Sequence, residues 1–348
     1  MPSSTTSSGP PLPATVIVTA HDRRAYLREA IDSVLAQDID RSRFELVVVK
    51  NFDDPEVDAR LDGAGARRLR CAEAPVSRKV LEGLRVSRGR VVFLLDDDDR
   101  FEPDKLRVVL EEFAADPRLG FVHHQVRYIG PDNRPLPGSG GRFLGRRPGR
   151  ARRILLAERD KSLGLARLAY SYPDFNCSSL AIRRDIALGA APYLARVDGG
   201  VDTFFFFAAL IAPCSLLLDE RPLARYRLHE DNASLASGPD PDARRRRLLE
   251  AALRQDRVNR VTLEMVARSG RSALLREIEA RSLIDRLSIL FRDRSGGRVE
   301  ALRSLLNGIE LRDTFAVREN VPSMAGAALF VLTPRLARSA YERQSAVR

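Results

Sequence analysis

Three stretches of this 348-residue chain are apolar almost without interruption: TVIVT (15–19), FELVVVK (44–50) and RVVFLL (90–95). A strand with one wet face alternates apolar and polar residues, so continuous runs of this kind belong to strands covered on both faces. Between the first two runs, Tyr26, Leu27, Ala30, Ile31, Val34 and Leu35 recur at helical spacing, with Asp22 placed to cap that helix. Strand, helix, strand in this order opens a parallel sheet.

The alternation continues with a short strand near Leu69–Cys71, a helix over Lys79–Val86, the RVVFLL strand, a helix from about Pro103 to Ala115 and the strand GFVHHQVRYI. His123 and His124 are neighbours on that last strand, so one is expected to face inward and one outward, and neither is assigned a task. Residues 130–153 are dense in Gly, Pro and Arg and read as a flexible loop. A helical pattern near Ile154–Ala169 follows, then a strand at Ser178–Ile182, a helix from about Asp202, and short strands around Leu216 and Ala224–Leu228. The expected organisation is a disordered tail over 1–13, an α/β domain over 14–236 and a helical C-terminal region over 237–348.

The segment VVFLLDDDDR puts Asp96, Asp97, Asp98 and Asp99 just past a buried strand, where ligands bind in open α/β sheets. Four crowded carboxylates repel one another at a cost on the order of a few kcal/mol unless a cation or hydrogen bonds offset it. Mg²⁺ is commonly held by one or two carboxylates, with water and phosphate oxygens filling its remaining positions, so an aspartate-only cluster points to a cation bridging protein and diphosphate. A local alternative is that Asp98 or Asp99 caps the helix starting near Pro103, which Glu102 and Asp104 also favour. That accounts for one or two acids.

With these residues in view, FLLDDDDRFEPDKL resembles the Asp-x-Asp segment of family 2 glycosyltransferases of the GT-A fold. VIVTAHDRRAYLREAIDSVLAQ, FELVVVKNFDD, SRKVLEGLRVSRGRVVFLLDDDD, VDTFFFFAAL and PLARYRLHEDNAS are similar to further landmarks of that family, in the same order. The resemblance implies a Rossmann-like mixed, mostly parallel sheet with flanking helices. It also implies inverting transfer of a sugar from a nucleotide-diphosphate donor to a hydroxyl acceptor, a saccharide or lipid-linked saccharide of a cell-envelope glycan, assisted by Mg²⁺ or Mn²⁺. Asp96 and Asp98 fall on the two acids of Asp-x-Asp, with Asp98 on the metal and Asp96 on the metal or the ribose. Asp97 is counted on the donor side, and Asp99 with the acceptor side or the loop.

The same resemblance makes Asp202 the acceptor-activating base or the cap of its helix, with Asp198 as the fallback base. Arg78 is read as facing the diphosphate or as a surface arginine. His229 is read as near the metal or as an ordinary packed histidine, with Arg225 and Arg227 lending phosphate-binding charge around it. The family's Asp-Asp-Gly-Ser after the second strand is replaced by Lys50, Asn51, Phe52 and Asp53, so no base preference carries over. Asn51 or Asp53 would meet the base, while Thr19, Ala20 and Asp22 would line the pocket at the end of the first strand.

Other classes fit less well. No glycine-rich turn follows the first strand, which argues against a sugar nucleotidyltransferase or a dinucleotide-binding dehydrogenase. The net charge of +11 motivates a nucleic-acid or membrane-surface binding protein as an alternative, but few aromatics interleave the arginine runs near 142–153 and 244–247. Specific nucleic-acid binding is therefore not expected. Peripheral contact with an anionic bilayer is retained, and so is a homodimer formed through the C-terminal helices. Three scattered cysteines and no stretch apolar enough to span a bilayer point to a cytoplasmic protein, with the inner membrane face as its place of peripheral contact.

Overall fold

A computed structural model describes residues 12–136, 153–162, 174–229, 232, 241–293 and 297–337. The chain divides into two compact units, one holding the described residues up to Lys161 and from 174 to Leu228, the other Ser162 and the described residues from His229 onward.

The first unit is built on one mixed sheet in the order β3-β2-β1-β4-β8-β6-β9-β5, with β7 pairing on β9. The uninterrupted apolar runs form β1 (Leu12–Ala20), β2 (Phe44–Lys50) and β4 (Gly89–Asp96), which pair in parallel. Every residue of β2 is buried, as is β1 from Ala14 to Ala20, because helices cover both faces of the sheet. Close packing requires a glycine at the start of β4, since a Cβ on Gly89 would lie 2.2 Å from the Ala14 backbone. The edge strand β3 (Arg67–Arg70) carries three arginines, which keep its open side wet and unsuited to pairing.

The helices are α1 (Leu27–Leu35), α2 (Pro55–Gly63), α3 (Val76–Val86), α4 (Lys105–Ala115), α5 (Arg184–Leu194) and α6 (Val201–Ile211). Helix α1 buries Leu27, Ala30, Ile31 and Val34, the face its spacing indicates. Asp22 does not cap it: Tyr26 holds the cap position, and Asp22 sits upstream at φ +57°. Neither Asp98 nor Asp99 caps α4. Gln37 does that work, its Oε1 accepting the Leu106 N–H at 2.9 Å while its amide donates to the Glu102 carbonyl at 2.8 Å.

The remaining strands are β5 (Arg100–Phe101), just before α4, and β6 (Leu119–Ile129), β7 (Arg153–Leu156), β8 (Leu180–Arg183) and β9 (Ser215–Arg227) after it. Residues 154–156, expected to begin a helix, instead pair antiparallel with β9, and the rest of that expected helix beyond 162 lies outside the described residues. The two short strands expected near Leu216 and Ala224 are one strand, continuous beside β6 through register shifts near Gln125. His123 and His124 are both buried, because β6 is covered on both faces. The start of the expected flexible loop is a tight turn closed by Gly130 N–H to the Arg134 carbonyl at 2.9 Å, and residues 137–152 lie outside the description. Leu12 and Pro13 of the expected tail belong to β1, while residues 1–11 also lie outside it.

The second unit is helical: α7 (Pro241–Ala267), α8 (Ser272–Arg292), α9 (Arg298–Glu310), α10 (Phe315–Glu319) and α11 (Val321–Leu332). Leu287, Leu290, Phe291, Ala301, Ala327 and Phe330 form its core. Gly308 lets α9 approach α11 closely, since a Cβ there would sit 2.0 Å from the Met324 methyl. Among the described residues no helix is long and apolar enough to cross a membrane.

Candidate active site

The register of the parallel strands sets Thr19 beside Asp96 and Ala20 beside Lys50, so the tips of β1, β2 and β4 form one level edge. The acidic loop turns off this edge. Asp96 is partly exposed at the strand tip, whereas Asp97, Asp98 and Asp99 are buried, with the Asp99 N–H closing a turn onto the Asp96 carbonyl at 3.2 Å.

Each acid is answered differently. Arg23, two residues past the His21 that follows β1, spans two of them: its Nε donates to Asp97 Oδ1 at 3.0 Å and its Nη2 reaches Asp98 Oδ2 at 2.8 Å. Asp99 turns inward, accepting the Arg227 N–H at 3.0 Å and the Asn176 side-chain amide at 3.1 Å. Of the two roles expected for Asp99, these bonds describe the one in the loop. Burial raises the Asp97 carboxyl to about 6 against the opposing pull of Arg23. Burial and the charge of Asp98 raise Asp99 to about 7, although Ser178, Arg227 and Asn176 stabilise its charged form. Asp96 is pushed well above the usual carboxylate range by loss of water and by repulsion from Asp99, Asp98 and Asp97.

Arg227, at the end of β9, is fully buried and does not extend toward a phosphate. Its Nε donates to the Asp98 carbonyl at 2.8 Å, its Nη1 to the Pro131 carbonyl at 3.1 Å, and its Nη2 to Glu29 Oε2 at 2.8 Å, with the Tyr26 ring 4.2 Å from its guanidinium carbon. It fastens the acidic loop to α1 and to the 130–134 turn. Arg225 is taken up by Glu102 at 2.9 Å. Neither arginine supplies the phosphate-binding charge expected of it.

Asp202 lies in the first turn of α6, after Gly200 at φ +60° has turned the chain into the helix. It is not the cap residue. Its Oδ2 accepts the Asn176 N–H at 2.7 Å and its Oδ1 the Thr203 N–H at 2.8 Å. Asn176 itself stands at φ +73°, buried, and ties Asp202 to Asp99 through its two donors. Asp198 is half-buried in the turn between α5 and α6.

Toward the expected nucleotide end, Asp22 and Asn51 hold each other, Asn51 Nδ2 donating to Asp22 Oδ1 at 2.7 Å and Asn51 Oδ1 accepting the Asp22 N–H at 2.9 Å. Thr19 and Ala20 are buried beneath them at the end of β1. Asp53 is exposed and paired with Arg70 at 2.6 Å, on the rim of a cavity of about 400 Å³ that also includes Lys50 and Phe52. Arg78 is paired with Glu73 at 3.2 Å. His229 opens the second unit, where its N–H donates to Asn232 Oδ1 at 2.5 Å.

A mixed sheet with an acidic turn at the tip of its fourth strand defines a protein of the GT-A class. Residues 15–187, just under half of the chain, match the model for glycosyl transferase family 2, and this part of the chain belongs to that family. It is 28% identical over 116 residues to an uncharacterized glycosyltransferase of Haemophilus influenzae, a match spanning 32% of this chain and 38% of that relative's length. Among solved structures, S. aureus TarS 1–349 in complex with UDP-GlcNAc shares the fold at a TM-score of 0.50 and 12% identity, over 92% of this chain and 91% of that one. The same TarS fragment with UDP gives a TM-score of 0.49 at 12% identity and the same coverage.

Family 2 enzymes generally use a divalent cation. Among the described residues no group of three or more His, Cys, Asp or Glu side chains is arranged to hold one, so a cage made of protein alone does not fit. A cation that takes one or two carboxylates and leaves its other positions to water and phosphate does fit. Asp96 is partly exposed at the strand tip, Asp98 is two residues on, and the buried Asn176 Oδ1 in the same corner has no hydrogen-bond partner.

Proposed function

We propose that the protein is a metal-dependent, inverting glycosyltransferase that moves a sugar from a nucleotide-diphosphate donor to a hydroxyl acceptor. The observation that carries this reading is the Asn176 bridge, which couples the carboxylate of Asp202 to the acidic loop through bonds of 2.7 and 3.1 Å. A general base and a diphosphate-binding corner must act on one substrate pair, and this bridge holds them at a fixed separation.

In this scheme Thr19, Ala20, Asp22 and Asn51 line the nucleoside side, Asp53 flanks it, and Arg78 leaves Glu73 to meet the diphosphate. Asp96 and Asp98 would hold Mg²⁺ or Mn²⁺, which when bound neutralises the charge developing on the departing nucleoside diphosphate. Asp97 and Arg23 keep that loop in place. Asp202 accepts the proton of the attacking hydroxyl, its carboxylate held in place by the Asn176 and Thr203 backbone N–H groups. Asp198 takes that role only if Asp202 proves dispensable. His229, expected near the metal, takes no part in this scheme.

The donor class is supported by S. aureus TarS, which has been captured with UDP-GlcNAc. The acceptor reading is a saccharide or lipid-linked saccharide of the cell envelope, approached from the cytoplasmic side with the protein at the membrane surface.

The test is donor turnover with a panel of nucleotide sugars, with and without Mn²⁺. Asp98→Asn should abolish Mn²⁺-dependent turnover with little change in melting temperature. Asp202→Asn should retain nucleotide binding and lose about 10²-fold or more in transfer. Full turnover in excess chelator would remove the cation from the scheme, and normal transfer by Asp202→Asn would move the base elsewhere.

A further inference from the structure

Helices α9 and α11 lie against each other on one side, and each presents a second, exposed side that is apolar. On α9 this side consists of Val299, Leu302, Leu306 and Ile309, at spacings of three and four residues, with Val299 65% and Ile309 58% exposed. The opposite face of the same helix, with Ala301, Ser304 and Gly308, is the buried one. On α11 the exposed positions Val321, Ala325, Ala328 and Leu332 again share one helical face, and Leu332 is 72% exposed. Leu336 continues it. The Arg298 guanidinium reaches the Leu332 carbonyl at 3.4 Å, which brings the Val299 end of α9 to the Leu332 end of α11.

A globular protein scatters single exposed leucines, but two adjacent helices with continuous apolar outer faces make a surface that binds something. We infer that the outer face of α9 and α11 docks on an anionic lipid bilayer, with the two helices lying in the plane of the interface.

Three observations select this occupant. Helix α11 has no charged side chain over its twelve residues, yet at about 18 Å it is far shorter than the roughly 30 Å hydrocarbon core, so it can enter the interface without crossing it. Around the face the exposed charges include Arg298, Arg303, Arg312 and Arg335 together with Glu300, Glu310 and Asp313, a rim with more positive than negative groups beside the apolar strip. Residues 237–348 carry 22 arginines against 14 carboxylates, a surplus of eight positive charges within the chain's +11. An anionic bilayer offers an apolar layer and negative charge together, which matches the apolar strip and this surplus of positive charge at once.

The inference extends the membrane-surface acceptor reading above and rests on it for its biological sense. Its test reads lipid binding alone, so a failure of docking and a failure of transfer remain separable. The full chain is floated with vesicles of phosphatidylcholine, with and without phosphatidylglycerol, at low and moderate salt. It should float only with the anionic vesicles. Leu302→Asp with Leu306→Asp should lower the bound fraction by roughly tenfold or more at an unchanged melting temperature, because inserted leucines are replaced by charges. Should that pair fail to fold, Leu332→Asp reads the same surface from the other helix. Arg303→Gln with Arg335→Gln should weaken binding to anionic vesicles and reduce its salt dependence. Absence of flotation by the wild type, or equal flotation by the leucine variants, overturns the inference. So does a dimer in sedimentation equilibrium that the leucine variants dissociate while no lipid is bound.

Discussion

The backbone N–H of Asn176 donates to the Asp202 carboxylate at 2.7 Å from a residue held at φ +73°. A side chain at that dihedral is strained by about 1–3 kcal/mol, and strain of this kind persists only where the surroundings fix it. Here the fixing bond is the one from the Asn176 amide to Asp99.

Asn176→Ala keeps the strain and loses the amide bond, so it should cost about 2–3 kcal/mol in chemical denaturation. Asn176→Gly also loses the amide but relieves the dihedral, and should be less destabilising by about 1 kcal/mol. If the two variants proved equally stable, the bridge would owe nothing to backbone strain.

Arg23 spans Asp97 and Asp98, and its removal leaves two adjacent buried carboxylates without their main counter-charge. Arg23→Gln should lower the melting temperature in chelator, and Mn²⁺ should raise the variant's melting temperature more than the wild type's. Differential scanning fluorimetry with and without Mn²⁺ measures both. Equal metal-induced shifts would show that Arg23 and the cation do not share the same carboxylates.

The pH dependence follows from Asp99 at about 7 and Asp97 at about 6, both raised above an ordinary value of 3.8. Between the ordinary and the raised values the folded state binds more protons than the unfolded state, so stability falls as pH rises. The stabilising contribution is complete below pH 3.8 and lost through pH 6 to 7. In chelator, the melting temperature should therefore decline from about pH 5 to pH 8, and Asp99→Asn should flatten part of that decline. A melting temperature that climbs over this range would contradict the raised carboxyls.

Arg227 is buried with donors aimed at the Asp98 and Pro131 carbonyls and at Glu29. Arg227→Met strands these acceptors and should destabilise the first unit by about 3–5 kcal/mol. Arg227→Lys keeps the charge but not the fork, and should recover only part of the loss, which a urea titration would resolve.

The sheet was legible wherever burial is two-sided, because β1, β2 and β4 carry nearly uninterrupted apolar runs and few other elements do. Helix α2 was not legible: its sequence PEVDARLDG buries only Val57 and Leu61, too little for a periodic signal. Residues 154–156 were misread as helical because the feature that makes them a strand is their partner β9, some sixty residues downstream. At the site, four like charges at a strand end announced themselves, while their partners did not. Arg23 is separated from Asp97 by 74 residues, Asn176 from Asp99 by 77 and Arg227 from Asp99 by 128. No local pattern marks an arginine as the complement of so distant an acid. For the same reason Arg227, which stands with Arg225 beside His229 in sequence, was read as phosphate-binding charge, although it is buried.

Strand β9 ends on Arg227, forty residues beyond the last position that matches the family model. During synthesis, then, the acidic corner stays unfastened until nearly two thirds of the polypeptide has emerged. A gene fragment trimmed to the recognised domain would encode all four aspartates and yet leave out the side chain that clamps them.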